Sequence, residues 1–307
     1  MRIESLLIVL LSSSVVAAQT VKQGNIKLPR PTVAAKGHYK HLQNYPVTPT
    51  NIDADKKHFP LETMRHSYFN NLKLRAVYVD VPIEIFDIGS MPANSSIQTK
   101  KELEYLHGVA DTSRNKEKIE ESLKFANIYY RVLAVPSDTD YTALRKNLFH
   151  IGRQLGNWFN PDSLPITANF MAKVWQDATY YCWALKFKYN RIRPYQLDTT
   201  LKQITNPNFP AYPSGHSTNS YVAAYVYSEL LPQFTELFTR NAFDMAFSRE
   251  MLGVHFPSDT ESGRLLARQL VNLFLQSNSF KKDLLKAKTE IKKIINRNDF
   301  SKQNAKH

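Results

Sequence analysis

An all-α helical bundle is the architecture this 307-residue chain predicts, on three observations. From about residue 115 onward, apolar residues recur at three- and four-residue spacings, the period of helices with one buried face. That recurrence breaks where turn formers cluster: Pro136-Ser137-Asp138, Asn160-Pro161-Asp162, Asn206 to Pro213, and Phe256-Pro257-Ser258. No strand–helix alternation and no internal repeat interrupts the pattern, so helix-on-helix packing is the layer solution left.

The elements follow in order. Arg2, an apolar run from Leu6 to Leu11 and the small residues up to Ala18 read as a secretory signal over 1–18. Val16 and Ala18 sit at −3 and −1 of the cleavage point. Residues 19–110 read as an arm or accessory region, mostly irregular, because 19–60 is rich in Pro, Lys, Asn and Thr without sustained period. Within it, Leu72 to Asp87 alternates enough for one extended piece, although Pro82 makes a poor central strand. Residues 111–307 read as the helical domain, with helices near 116–135, 141–158, 165–190, 216–231, 235–252, 258–277 and 280–296. The last carries Lys281, Lys282, Lys286, Lys288, Lys292, Lys293 and Arg297 around a stripe of Leu284, Leu285, Ile291, Ile294 and Ile295. It is either a terminal helix docked on its own domain or a basic amphipathic helix on an anionic membrane.

Composition narrows the function. A net charge of +13 attracts anions of every size, from small esters to lipid headgroups. Cys182 is the only cysteine, so no intrachain disulfide and no cysteine metal cluster is available, and its place in an apolar helical pattern makes it a structural thiol.

Three short blocks carry the chemistry. Lys186 and Arg193 are seven residues apart, two helical turns, and so share a face, while Pro194 biases Arg193 out of helical geometry. Pro213-Ser214-Gly215-His216 precedes an apolar helix, with Ser214 a candidate N-cap and Gly215 allowing close backbone approach to an anion. Ser248-Arg249 is followed by His255 and, four residues on, Asp259, close enough to hold one ring nitrogen and aim the other at substrate. Each block alone also fits a solvated helix face or an ordinary cap. Together they supply three permanent cations, helix-start amides, two imidazoles and an orienting carboxylate. That is the inventory for phosphoryl transfer through a histidine, with neither metal nor cofactor called for.

In this order the blocks resemble the signature of the phosphatidic acid phosphatase type 2 superfamily: Lys-x6-Arg-Pro, Pro-Ser-Gly-His, Ser-Arg-x5-His-x3-Asp. With short gaps and a leader, the chain looks most like bacterial class A non-specific acid phosphatases, over roughly residues 140–275. The resemblance implies a helical fold of the acid phosphatase and vanadium haloperoxidase type. It implies His255 as nucleophile, Asp259 as the holder of its tautomer, and His216 as acid and then base. Lys186, Arg193, Ser214, Gly215 and Arg249 would cradle the phosphate. A secreted or periplasmic phosphomonoesterase of broad range, most active at mildly acidic pH, is the expectation. Its substrates would be small-molecule or lipid phosphate esters, and nucleic acid is not an expected partner. A homo-oligomer and a peripheral membrane contact through the basic helix stay open. The rivals are a vanadium-dependent haloperoxidase, a lipid-phosphate phosphatase working from the aqueous side, and a non-catalytic secreted basic binding protein.

Overall fold

The computed structural model describes residues 19–20, 27–28, 39 and 42–304, with side chains at 39 and 42–297. The segment read as a secretory signal lies outside the described residues. Eight α-helices of seven residues or more are described. They are α1 (Ile97–Gly108), α2 (Lys116–Ala126), α3 (Tyr141–Asn147), α4 (Pro165–Tyr189), α5 (Gly215–Leu230), α6 (Thr235–Met251), α7 (Pro257–Phe274) and α8 (Asn278–Asn304). Among the described residues the β content is a two-residue antiparallel pairing of Gln19–Thr20 with Lys27–Leu28, so the all-α expectation stands.

Helix α5 is the hub, packed by α4, α6 and α7. Its sequence is apolar or small nearly all round, and Val222, Ala223, Ala224, Tyr225, Val226 and Tyr227 are each 0% exposed. A helix without a polar face is stable only at the centre of a bundle. Gly263 sets the α5–α7 approach: a Cβ there would stand 2.6 Å from the Ser214 carbonyl and 2.8 Å from Ser217 Cβ. Pro165 opens α4 at its first turn, where a missing N–H costs nothing, and Asn190 closes it in the left-handed region at φ 45°.

Two helix ends are corrected, and the region before them gains detail. The helix near 116–135 stops at Ala126, and the one near 141–158 stops at Asn147. Gly152 and Gly156 explain the second: a Cβ on Gly152 would overlap the Phe159 ring at 2.1 Å, and Gly156 adopts φ +94°. The piece at Leu72–Asp87 forms no strand. Its amides at Val77, Tyr78 and Val79 instead donate to the buried Asp177 carboxylate of α4, at 2.5, 2.9 and 3.2 Å. Finally, α1 lies inside the region read as mostly irregular. It escapes periodicity because its buried face is largely polar: Gln98, Thr99 and Glu102 accompany Leu106.

Helix α8 turns Leu284, Ala287 and Ile291 inward and docks on α4. The Glu290 carboxylate accepts the free amides of Ile166 and Thr167 at 2.8 and 2.7 Å, capping α4. The stripe that would have faced a membrane is thus used in the core, with Leu285 left outside at 66% exposure. No described helix is long and apolar enough to cross a membrane.

Candidate active site

The three blocks meet where α4 ends and where α5 and α7 begin. Lys186, within the last turn of α4, donates its ammonium to the carbonyls of Pro210 and Ala211 at 2.8 and 3.1 Å. Arg193 is extended (φ −75°, ψ 152°), as a residue before proline must be. Its Nε donates to the Phe209 carbonyl at 2.8 Å, and its Nη1 to the Val254 carbonyl at 2.7 Å. The Phe209 ring lies 4.7 Å from the guanidinium carbon and 5.4 Å from the ammonium, a cation–π floor under both charges.

Ser214 is the N-cap of α5, its hydroxyl accepting the Ser217 amide at 3.4 Å. Its own amide donates to the Asp259 carbonyl at 2.8 Å, tying the second block to the third. A Cβ on Gly215 would touch Lys186 Cε at 3.9 Å, so this amide lies against the first block. Gly215 and His216 are half-buried, while Lys186, Arg193, Ser214, Arg249, His255 and Asp259 are buried. The site therefore opens at the start of α5. There His216 Nε2 lies 3.2 Å from the Ala126 carbonyl at the end of α2. A helix C-terminus favours a protonated imidazole.

The turn after α6 uses Gly253 at φ +71°, which delivers His255 to the residue pair that precedes α7. Asp259, third residue of α7, accepts from the Phe256 amide at 2.9 Å and from His255 Nδ1 at 3.0 Å, both on Oδ2. With its Nδ1–H donating to Asp259, the ring turns the Nε2 lone pair to Arg193 Nη1 at 2.9 Å. Arg249 is 4% exposed, yet its Nε and Nη1 have no hydrogen-bond partner among the described residues. Two buried guanidinium donors without an acceptor imply an acceptor that arrives.

Burial and mutual repulsion weaken every cation here. Burial pushes Lys186 down to about 7 and Arg193 to about 10. Arg249 falls to about 9, by burial and then by Arg193. His216 and His255 both sit well below the ordinary imidazole value, chiefly through burial, with Arg249 acting next on the first and Arg193 on the second. For Asp259 burial works upward, but Arg191 and then His255 override it and hold the carboxyl at about 2. The result is an ionised orienter, a neutral imidazole whose lone pair accepts from Arg193, and a lysine poised to regain its charge beside an anion.

Sequence reasoning missed two participants. Arg191 donates to Asp259 Oδ1 at 2.7 Å, and Glu102 lies on its far side at 3.5 Å. The Arg-Ile-Arg run was a usable signal for the first. Glu102 gave none, since it sits among other charges on a polar-looking helix.

Residues 170–283 match the family model described as the PAP2 superfamily, so the chain carries a PAP2 superfamily domain. The non-specific acid phosphatase of Providencia stuartii is 32% identical over 114 residues, 36% of this chain and 46% of that protein. That of Salmonella typhimurium is 28% identical over 159 residues, 49% and 64% of the two chains. The chain thus spans between about half and two thirds of these relatives' length. A solved bacterial vanadium-dependent iodoperoxidase superposes with a TM-score of 0.52 at 20% identity, over 78% of this chain and 64% of that one, a likeness of fold.

Proposed function

We propose that the PAP2 domain hydrolyses phosphate monoesters through a phosphohistidine. The observation that carries this is the His255–Asp259 pair, whose Nε2 meets Arg193 Nη1, with Lys186 and the partnerless Arg249 close enough to act on the same charges. In the proposed reaction His255 Nε2 attacks phosphorus and forms the P–N bond. The P–O bond to the leaving group breaks, and His216 protonates that oxygen. Water then attacks phosphorus and forms a new P–O bond while His216 takes its proton, and the P–N bond breaks to release inorganic phosphate and free His255. Lys186, Arg193, Arg249, the Ser214 hydroxyl and the Gly215 amide neutralise the equatorial oxygens, so the protein's own cations supply the charge without a metal. All these groups address the phosphate and none the leaving group, which supports a broad range of esters. The leader-like residues 1–18 support export.

The test assays protein recovered from medium or periplasm, with an N-terminus at Gln19, on p-nitrophenyl phosphate. Turnover should be optimal at mildly acidic pH, and an acid-labile phosphoryl group should be trapped during it. His255→Ala should abolish both, a loss of about 10⁴-fold or more for a nucleophile. Full activity in His255→Ala, or peroxide-dependent halide oxidation in its place, overturns the reading.

A further inference from the structure

The nucleophile's orienter is itself held, by groups outside the three blocks. Asp259 Oδ2 is fully engaged by His255 and the Phe256 amide, and its other oxygen, Oδ1, meets Arg191 Nη1 at 2.7 Å. The same nitrogen reaches Ser258 Oγ at 2.7 Å. The Ser258 hydroxyl donates to Glu102 Oε2 at 2.8 Å, and the Ser258 amide, in the first turn of α7, donates to Glu102 Oε1 at 2.9 Å. Arg191 Nη2 closes the ring on Glu102 Oε2 at 3.5 Å. Both ion pairs of Arg191 are between side chains that are 0% exposed. The guanidinium also stacks 4.0 Å above the ring of Phe256, the residue that joins His255 to α7.

This arrangement is costly unless it is used. Two carboxylates and one guanidinium taken wholly out of water lose several kcal/mol of hydration each, and apolar residues of equal volume stabilise a fold as well or better. Capping α7 needs no ion triad, since Asp259 already accepts the Phe256 amide at its N-terminus. What the triad does fix is the rotation of the Asp259 carboxyl about its own axis. With Oδ1 pinned by Arg191, Oδ2 has one orientation, and that orientation faces His255 Nδ1. Glu102, whose carboxyl burial raises to about 7 against the pull of Arg191, shares the Arg191 charge with Asp259 in its ionised form. Without it, the guanidinium field would fall on Asp259 alone and weaken it as an acceptor for the imidazole.

We propose that Arg191 and Glu102 are positioning residues for the reaction: through Asp259 they fix the Nδ1–H tautomer and the aim of His255. The inference rests on the phosphohistidine reading for its kinetic part, and it gives α1, from the region the sequence left unassigned, a place in the chemistry.

Glu102→Gln is the first test, assayed at pH 8 because burial raises the Glu102 carboxyl to about 7, so that the change keeps the shape of the side chain and removes its charge; Arg191→Met is the second. Outer partners of this kind are worth about 10- to 100-fold in activity when lost. With p-nitrophenyl phosphate, kcat should fall about tenfold in Glu102→Gln and about a hundredfold in Arg191→Met, with KM within about twofold of wild type. Arg191→Lys, which keeps the charge but cannot fork between two carboxylates, should recover less than half of the loss. The readout independent of turnover is the ring of His255 in protein labelled with ¹⁵N-histidine. Wild type should show a single Nδ1–H tautomer, and both variants a mixture of tautomers at unchanged fold. A single Nδ1–H tautomer in folded Glu102→Gln and Arg191→Met overturns the proposal, as does wild-type kcat in either. A failure of the hydrolytic reading instead appears as an inactive wild type, in which the tautomer comparison still decides. Should Arg191→Met not fold, the same two criteria apply to Glu102→Gln alone.

Discussion

Arg249 shows most directly how the site trades stability for binding. Its Nε and Nη1 are buried without partners, and Arg193 pushes its charge further down. Leaving buried polar groups unpaired costs about 1–3 kcal/mol each. Arg249→Met should therefore raise the unfolding free energy of the ligand-free protein by about 1–3 kcal/mol, seen as a higher Tm by calorimetry. It should also lower kcat/KM by about 10²–10³-fold, the worth of one donor to a developing charge. A variant both less stable and fully active would remove Arg249 from the phosphate cradle. At this scale the sequence was informative where chemistry needs a rare type at a fixed spacing: Lys186, Arg193, His216, Arg249, His255 and Asp259. It was mute on Glu102, because a glutamate that braces an arginine and one that faces water are the same letter. Burial distinguishes them, and burial follows from tertiary packing.

Among elements, the join of α5 and α7 governs both fold and site. Helix α5 starts at the Ser214 cap, and Gly263 on α7 lets its backbone reach that turn. A Cβ at Gly263 would stand 2.6 Å from the Ser214 carbonyl, which is backbone and cannot swing aside, and 3.0 Å from the Thr218 amide. Gly263→Ala should cost about 1–3 kcal/mol, as overpacking does. It should also reduce kcat/KM beyond that, because the displaced turn carries Ser214, Gly215 and His216. A Tm within one degree of wild type with unchanged kinetics would contradict this account of the join. The same helices were the legible ones: α4 to α7 bury apolar residues at helical spacing between strong breaks, and their observed ends fall close to the expected ones. The segment after α2 was misread because apolar residues at Tyr129, Leu133 and Val135 kept the helical period while facing solvent, at 51%, 69% and 48% exposure. Leu133 turns left-handed at φ 66°, which no helix tolerates. Helix α1 went unread for the opposite reason, its inner face being polar.

Across the whole molecule, a chain of net charge +13 buries four cations, Lys186, Arg191, Arg193 and Arg249, around two buried carboxylates, Asp259 and Glu102. A bound dianion should therefore draw protons onto the protein. The sign follows from Lys186, which burial holds at about 7, far below an ordinary ammonium. Above that pH the free protein has shed the proton, and an anion must restore it on binding. Affinity should then fall by up to about tenfold per pH unit as pH rises above 7, one proton being taken up per Lys186 recharged. Sulfate is the suitable ligand because it stays a dianion throughout this range, unlike phosphate. Calorimetry at pH 8 in two buffers of different ionisation enthalpy should report uptake approaching one proton. Below 6.5 the depressed His216 and His255 should begin to contribute uptake as well. Exposed lysines contribute differently: their field is screened within about 10 Å at 0.1 M salt, whereas buried charges are screened much less. A sulfate affinity that tracks inert salt but not pH would place binding on the basic surface, including the lysine face of α8. One that tracks pH at constant ionic strength places it among Lys186, Arg193 and Arg249, where the end of α4 meets the starts of α5 and α7.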